Sequence, residues 1–170
     1  MRYDWILIAD DLRDLAALGA PFRMMTTRDY VLQPKLLSGS RPKIINLARS
    51  YNYQTDGYYA SLLAEARGHR VVPTVETLLD LYDRDLPEDA ESALEELLNK
   101  DLGGGAAPER LIVCLGEVED ERFRKFGRQL FDWYRAPVLV VTTAPDGSPG
   151  QYKIKRNKIP AFARLEDNEL

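Results

Sequence analysis

Cysteine and histidine are almost missing from this chain, with one of each, Cys114 and His69. A lone cysteine forms no internal disulfide, and one histidine and one cysteine far apart in sequence lack the paired spacing of a metal site. No serine stands in a Gly-x-Ser-x-Gly surround, so a nucleophile elbow is not encoded. His69, between Arg67 and Arg70, reads as a residue that caps helix carbonyls or packs under the next strand. Cys114, inside the apolar run Leu111–Leu115, reads as a buried strand residue. Long hydrophobic runs are also lacking. Nothing approaches the ~18 apolar residues of a membrane span, and Met1-Arg2-Tyr3-Asp4 lacks a signal-peptide core. A reducing, cytoplasmic setting fits these features. Positive charge is in deficit, 23 Lys and Arg against 27 Asp and Glu for a net charge of −4, which argues against broad nucleic-acid binding.

What is present is enough for a packed core. A chain of 170 residues with 45% hydrophobic content buries roughly 70% of its unfolded surface without disulfides or metals. Length and composition favour one compact domain, placed over 1–160 with 161–170 as a tail or linker. Trp5–Ala9 reads as a first strand closed by Asp10 and Asp11, then a short helix or loop over 12–20. Arg23–Tyr30 reads as a second strand, followed by an irregular segment holding Gln33-Pro34 and Ser38-Gly39-Ser40. Lys43–Leu47 is a strand, and Thr55 or Asp56 caps a helix that ends at Gly68. That helix has Tyr59, Leu62, Leu63 and Ala66 as its apolar face. Arg70–Pro73 is extended, and Thr74 caps a helix over Val75–Tyr82.

Leu86–Leu102 is acidic and helical, with a stripe of Leu94, Leu97 and Leu98. Gly103-Gly104-Gly105 follows a helix, precedes a strand and lacks the Gly-Lys-Ser/Thr ending of a phosphate loop, so it reads as a linker. Arg110–Leu115 is a strand, and Glu119–Tyr134 a helix packed through Phe123, Phe126, Leu130 and Trp133. Pro137–Thr143 and Gln151–Lys155 then form a hairpin around Asp146-Gly147. Lys153 and Lys155 share one side of that strand and Ile154 the other, the pattern of a sheet edge guarded by lysines. The fold class is α/β or α+β, a mostly parallel sheet covered by helices with a C-terminal antiparallel hairpin.

Chemistry concentrates where the strand ending at Leu47 meets the next helix. Arg49 offers a fork for carboxylate or phosphate, Gln54 both donor and acceptor atoms, and Tyr51, Tyr53 and Tyr58 flat faces with hydroxyl tips. With Ser50 they form the candidate binding set, at the place where open α/β sheets take their ligands. These types suit an amino acid, peptide or nucleotide; the competing reading packs the tyrosines in the core and pairs Arg49 with an acidic neighbour. Asp10 and Asp11 offer a second, thinner possibility of a magnesium or cationic-ligand site, against an ordinary turn role. No catalytic residue and no metal ligand is assigned.

The run from Asn46 through Gln54, followed by Gly57 to His69, resembles the N-terminal domain of RimK-like ATP-grasp ligases. Arg28-Asp29-Tyr30, Pro73-Thr74-Val75-Glu76-Thr77, Gln129-Leu130-Phe131 and Ala136-Pro137 agree with it, over roughly residues 3 to 160. The acidic stretch 83–108 departs from it. The resemblance implies parent proteins that join a carboxylate to an amine with ATP and magnesium, both held in a separate ATP-grasp core expected to begin where this chain ends, at Leu170. It assigns no catalytic residue to this domain. The expected role is therefore a non-catalytic accessory domain that aids substrate or acceptor recognition and docks on the ligase core, in cis or in trans. The alternative is a free-standing small nucleotide- or amino-acid-binding enzyme using the 46–59 loop. Docking on a core also predicts an exposed apolar patch from Tyr152, Ile154, Ile159 and Phe162, open to covering by a homodimer.

Overall fold

The computed structural model describes residues 5–18, 22–33, 35, 37, 39, 41–83, 88–103 and 105–160. Four parallel strands form the first sheet: β1 (Trp5–Ala9), β2 (Arg23–Thr26), β3 (Lys43–Asn46) and β4 (Arg70–Val72), in spatial order β2-β1-β3-β4. Ile6, Ile8, Ile44 and Val71 point to one face of it. Helices α1 (Thr27–Leu32) and α2 (Asp56–Ala66) bury that face, contributing Tyr30, Ala60 and Ala64. β1 ends in a 3-10 helix, Leu12–Leu18. β1 leads outward to β2 and β3 leads outward to β4, so the chain reverses its direction of travel between β1 and β3.

After α3 (Val75–Asp83) and α4 (Glu88–Leu102) comes a three-stranded antiparallel sheet, β5 (Arg110–Cys114), β6 (Val138–Pro145) and β7 (Tyr152–Lys158), with α5 (Arg124–Trp133) between β5 and β6. Its core joins Leu94 and Leu98 of α4 to Phe126 and Leu130 of α5 over Leu111, Val113, Leu139 and Val141. Fully burying a side chain of this size contributes ~1.5–3 kcal/mol. The outer edge of β7 is closed by α4: the Ile154 N–H donates to Glu95 Oε1 at 2.7 Å, and Asn99 exchanges two bonds of 2.8 Å with the Tyr152 backbone. The fold class is thus the expected one. Length suggested one body, and the contacts gather into two compact units, one reaching Leu78 and the other running from Leu79 to Ile159.

Several elements differ from the sequence reading for identifiable reasons. The second strand stops at Thr26 rather than Tyr30, because Thr26 caps α1: its hydroxyl oxygen accepts from Asp29 N–H and its hydroxyl donates to Asp29 Oδ2. On α2 the buried residues are Gly57, Ala60, Ser61 and Ala64, while Tyr59, Leu62 and Ala66 are exposed. The helix lies too close to its neighbours for large side chains. Trp133 is exposed at the end of α5, whereas Phe126 and Leu130 of that helix, and Phe123 in the 3-10 turn Glu121–Phe123 before it, are fully buried. The apolar patch expected on the last hairpin is absent as drawn: Ile154 is buried in the core, and Tyr152 and Ile159 pack against it. Phe162 and the 161–170 tail lie outside the described residues, as do Pro34, Ser38, Ser40 and Gly104. His69 packs inside, its Nδ1 2.8 Å from the Tyr30 hydroxyl.

Candidate functional site

β3 ends in a polar residue that is wholly buried, Asn46. Its amide donates to the Gly57 carbonyl at 2.8 Å and to Ser61 Oγ at 3.0 Å, and its Oδ1 accepts from Ala48 N–H. One side chain thereby ties the end of the strand to the first turns of α2. Ser61 passes the link on to the Pro73 carbonyl at 2.8 Å. Gly57 is required by the same closure, since a Cβ there would overlap the Ser50 carbonyl oxygen and Ala48 Cβ. The segment 47–55 is therefore held at both ends.

Arg49 is the best-placed member of the candidate set. Its backbone N–H donates to Asp10 Oδ2 at 2.8 Å, and the other oxygen of Asp10 accepts from the Thr27 hydroxyl at 2.7 Å. Its guanidinium meets Asp14 through one edge only, Nε to Oδ2 at 2.8 Å and Nη2 to Oδ1 at 2.7 Å. The Asp14 side chain is 8% exposed and that of Arg49 51% exposed. A nearly buried carboxylate thus fixes the arginine, and the Nη1 edge makes no bond to a described residue. Arg49 is held more firmly protonated than usual by its bonds to Asp14 and by the charges of Asp14, Asp11 and Asp10. Asp11 is turned away onto Arg13, whose guanidinium and backbone N–H hold its carboxyl down at about 2.

The other candidates divide. Tyr51 is half-buried, its hydroxyl donating to the Asn46 carbonyl at 2.7 Å, and burial pushes its phenol far above the ordinary range. Ser50 is half-buried, and its carbonyl accepts from the Thr55 hydroxyl at 3.1 Å. Gln54 is exposed with a left-handed φ of 69°, which turns the chain into α2. Tyr53 and Tyr58 stand edge to face with centroids 5.4 Å apart, and Tyr58 meets Tyr59 at 5.7 Å. So the loop contains an arginine side, built with β1, and an aromatic side, built on α2. Asp14, the partner that orients Arg49, carries no signal in the sequence, since it lies 35 residues away in a stretch with no pattern. Asn46 did carry a signal: a polar residue closing an otherwise apolar strand.

The strand order places this loop beside the end of β1, at the point where the two halves of the sheet diverge. Open parallel sheets bind ligands at that position. A family model described as the RimK-like ATP-grasp N-terminal domain matches residues 27–170. The chain belongs to this family. No curated protein matches it. The RimK-like match takes in Arg49, its loop and α2, and begins after Asp10 and Asp14. Asp10 and Asp11 already have bonded carboxylates, and among the described residues no group of three or more His, Cys, Asp or Glu could hold a metal. No helix among the described residues is long and apolar enough to cross a membrane.

Proposed function

We propose that this chain is a non-catalytic accessory domain of a RimK-like ATP-grasp carboxylate–amine ligase, which docks on the ligase core and holds a substrate or acceptor group at Arg49. The observation that carries the reading is the one-sided fixing of Arg49. Asp14 occupies the Nε–Nη2 edge, and the side chain remains half exposed at the diverging ends of β1 and β3. An arginine presents a second fork at its Nη1–Nη2 end, suited to a carboxylate or phosphate. Because Asp14 and the backbone bond to Asp10 have already oriented it, a ligand pays little ordering entropy to engage it.

Ser50 and Gln54 add polar groups to the same loop, and an amino acid or peptide is the ligand class this reading assigns to it. Tyr51 acts as a strut rather than a contact, since its hydroxyl is committed to Asn46. ATP and magnesium belong to the core in this reading, and the described residues perform no bond-making step.

The test uses the chain with a RimK-like ATP-grasp core that lacks its own N-terminal domain. Phosphate release from ATP–Mg²⁺ by the chain alone is expected at the level of a blank. Adding the chain to the core is expected to raise ligation, and Arg49→Lys to raise KM about tenfold with kcat little changed, the mark of lost binding without lost chemistry. Phosphate release by the chain alone, abolished by substituting one of its own residues, would overturn the reading in favour of the small-enzyme alternative.

A further inference from the structure

Helix α2 buries only small residues and leaves two of its large ones, Tyr59 and Leu62, open to solvent. Gly57, Ala60, Ser61 and Ala64 are buried, whereas Tyr59 and Leu62 are exposed and Tyr53, just before the helix, is 70% exposed. The rings of Tyr53, Tyr58 and Tyr59 touch in succession, edge to face, and make one aromatic strip. At about 100° per residue, Tyr59 and Leu62 share the outward line of the helix, with Asp56 and Glu65 on its two flanks. α2 contains no lysine or arginine. Arg67, the next cation along the chain, is turned onto the Tyr30 and Val31 carbonyls of α1. Among the described residues neither Asp56 nor Glu65 is in an ion pair, and Glu65 Oε1 accepts from the Val75 N–H.

Open tyrosine faces beside unpaired carboxylates are complementary to one kind of side chain, a cationic head on an apolar stem. The head lies over a ring and hydrogen-bonds a carboxylate, and the stem covers apolar surface. The same carboxylates repel nucleic acid and anionic lipid. We propose that the outer face of α2 docks a polypeptide segment carrying arginine or lysine next to an apolar residue. Tyrosine is enriched at interface centres, and burial of Leu62 with the ring edges supplies the apolar part. This surface does not depend on Arg49, so it stands or falls separately from the ligand reading.

The experiment titrates the ¹⁵N-labelled chain with two end-blocked hexapeptides, Leu-Arg-Gly-Leu-Arg-Gly and its glutamate counterpart, and follows backbone amide shifts. The arginine peptide is expected to move the amides of residues 53–66 in a saturable way, weakening as salt rises. The glutamate peptide is expected to move none of them. Asp56→Asn with Glu65→Gln, which keeps the acceptor for Val75, is expected to weaken binding about tenfold, the scale of two modest charge contacts. Tyr59→Ser with Leu62→Ser is expected to abolish it with the chain still folded, because neither side chain belongs to the buried core clusters. Equal shifts from the two peptides, shifts centred elsewhere, or unchanged affinity in both double variants would each overturn the proposal. So would sedimentation showing that the chain covers this face with a second copy of itself.

Discussion

Helices α2 and α5 each follow a loop from a strand end, and each contains a glycine that lets that loop press against it. Gly57 of α2 meets Ser50 and Ala48, and Gly127 of α5 meets the Gly116 carbonyl and Val118. Beyond that shared device they differ. α5 buries Phe126 and Leu130 and turns its charges outward, joining a core that also holds Leu94 and Leu98. α2 buries only glycine, alanine and serine, ties itself down through Asn46 and Ser61, and leaves tyrosine and leucine outside. α5 is held by area, α2 by close approach and hydrogen bonds. A helix anchored the second way is free to use its large side chains for something other than its own stability.

Truncation sharpens the contrast most. Phe126→Ala in α5 is expected to cost ~3–5 kcal/mol of unfolding free energy, as removal of a fully buried aromatic does. Denaturant midpoints at constant slope would report it. Enlargement should do to α2 what truncation does to α5. Gly57→Ala is expected to cost ~1–3 kcal/mol, because the new methyl forces the 48–50 loop away from the helix, and to shift the amides of Ala48 to Ser50. A neutral Gly57→Ala would break the close-approach account.

pH provides a third lever, acting on the first unit through His69. Burial and the charge of Arg67 hold its imidazole below the usual value, with the Tyr30 hydroxyl bonded at Nδ1. The neutral ring is the folded form. Stability from this group is therefore complete above the unfolded value of about 6.5 and is lost as pH falls through the lower folded value. Melting temperature is expected to fall on acidification from pH 7, with a smaller slope in His69→Gln; identical slopes would remove His69 from the account. The smallest effect belongs to the outer face of α2, where Leu62→Ser should change stability by no more than ~0.5 kcal/mol.

The same contrast explains what was legible in the sequence. Where burial is by area, the pattern of residues reports it, and the cores around Leu94, Leu98, Phe123, Phe126 and Leu130 were readable from spacing alone. Where a helix is held by close approach, the spacing of large residues points the wrong way. Tyr59 and Leu62 recur like a buried stripe and yet stay partly open to solvent. Gly57 and Asn46 were the better signals, a glycine in a first helical turn and an amide at the end of an apolar strand. The boundary between β2 and α1 was lost because Thr26 belongs to both elements, as last strand residue and as cap. Arg49 was visible as a candidate from its loop, but its orienting partner was not. The bond to Asp14 depends on two strands lying side by side, which local periodicity does not encode.

In the proposed function Arg49, oriented by Asp14, takes an oxyanion at its free edge. The most direct measurement follows the Arg49 side-chain Nε–H and the amides of residues 48–58 by NMR while acetate, inorganic phosphate and free amino acids are titrated in separately. Saturable shifts at the Arg49 side chain and at the amides of this loop are expected for at least one of these probes, with the amide shifts lost in Arg49→Lys, which leaves Asp14 a cationic partner. Shifts that leave Arg49 unmoved, or that persist unchanged in Arg49→Lys, would contradict that reading.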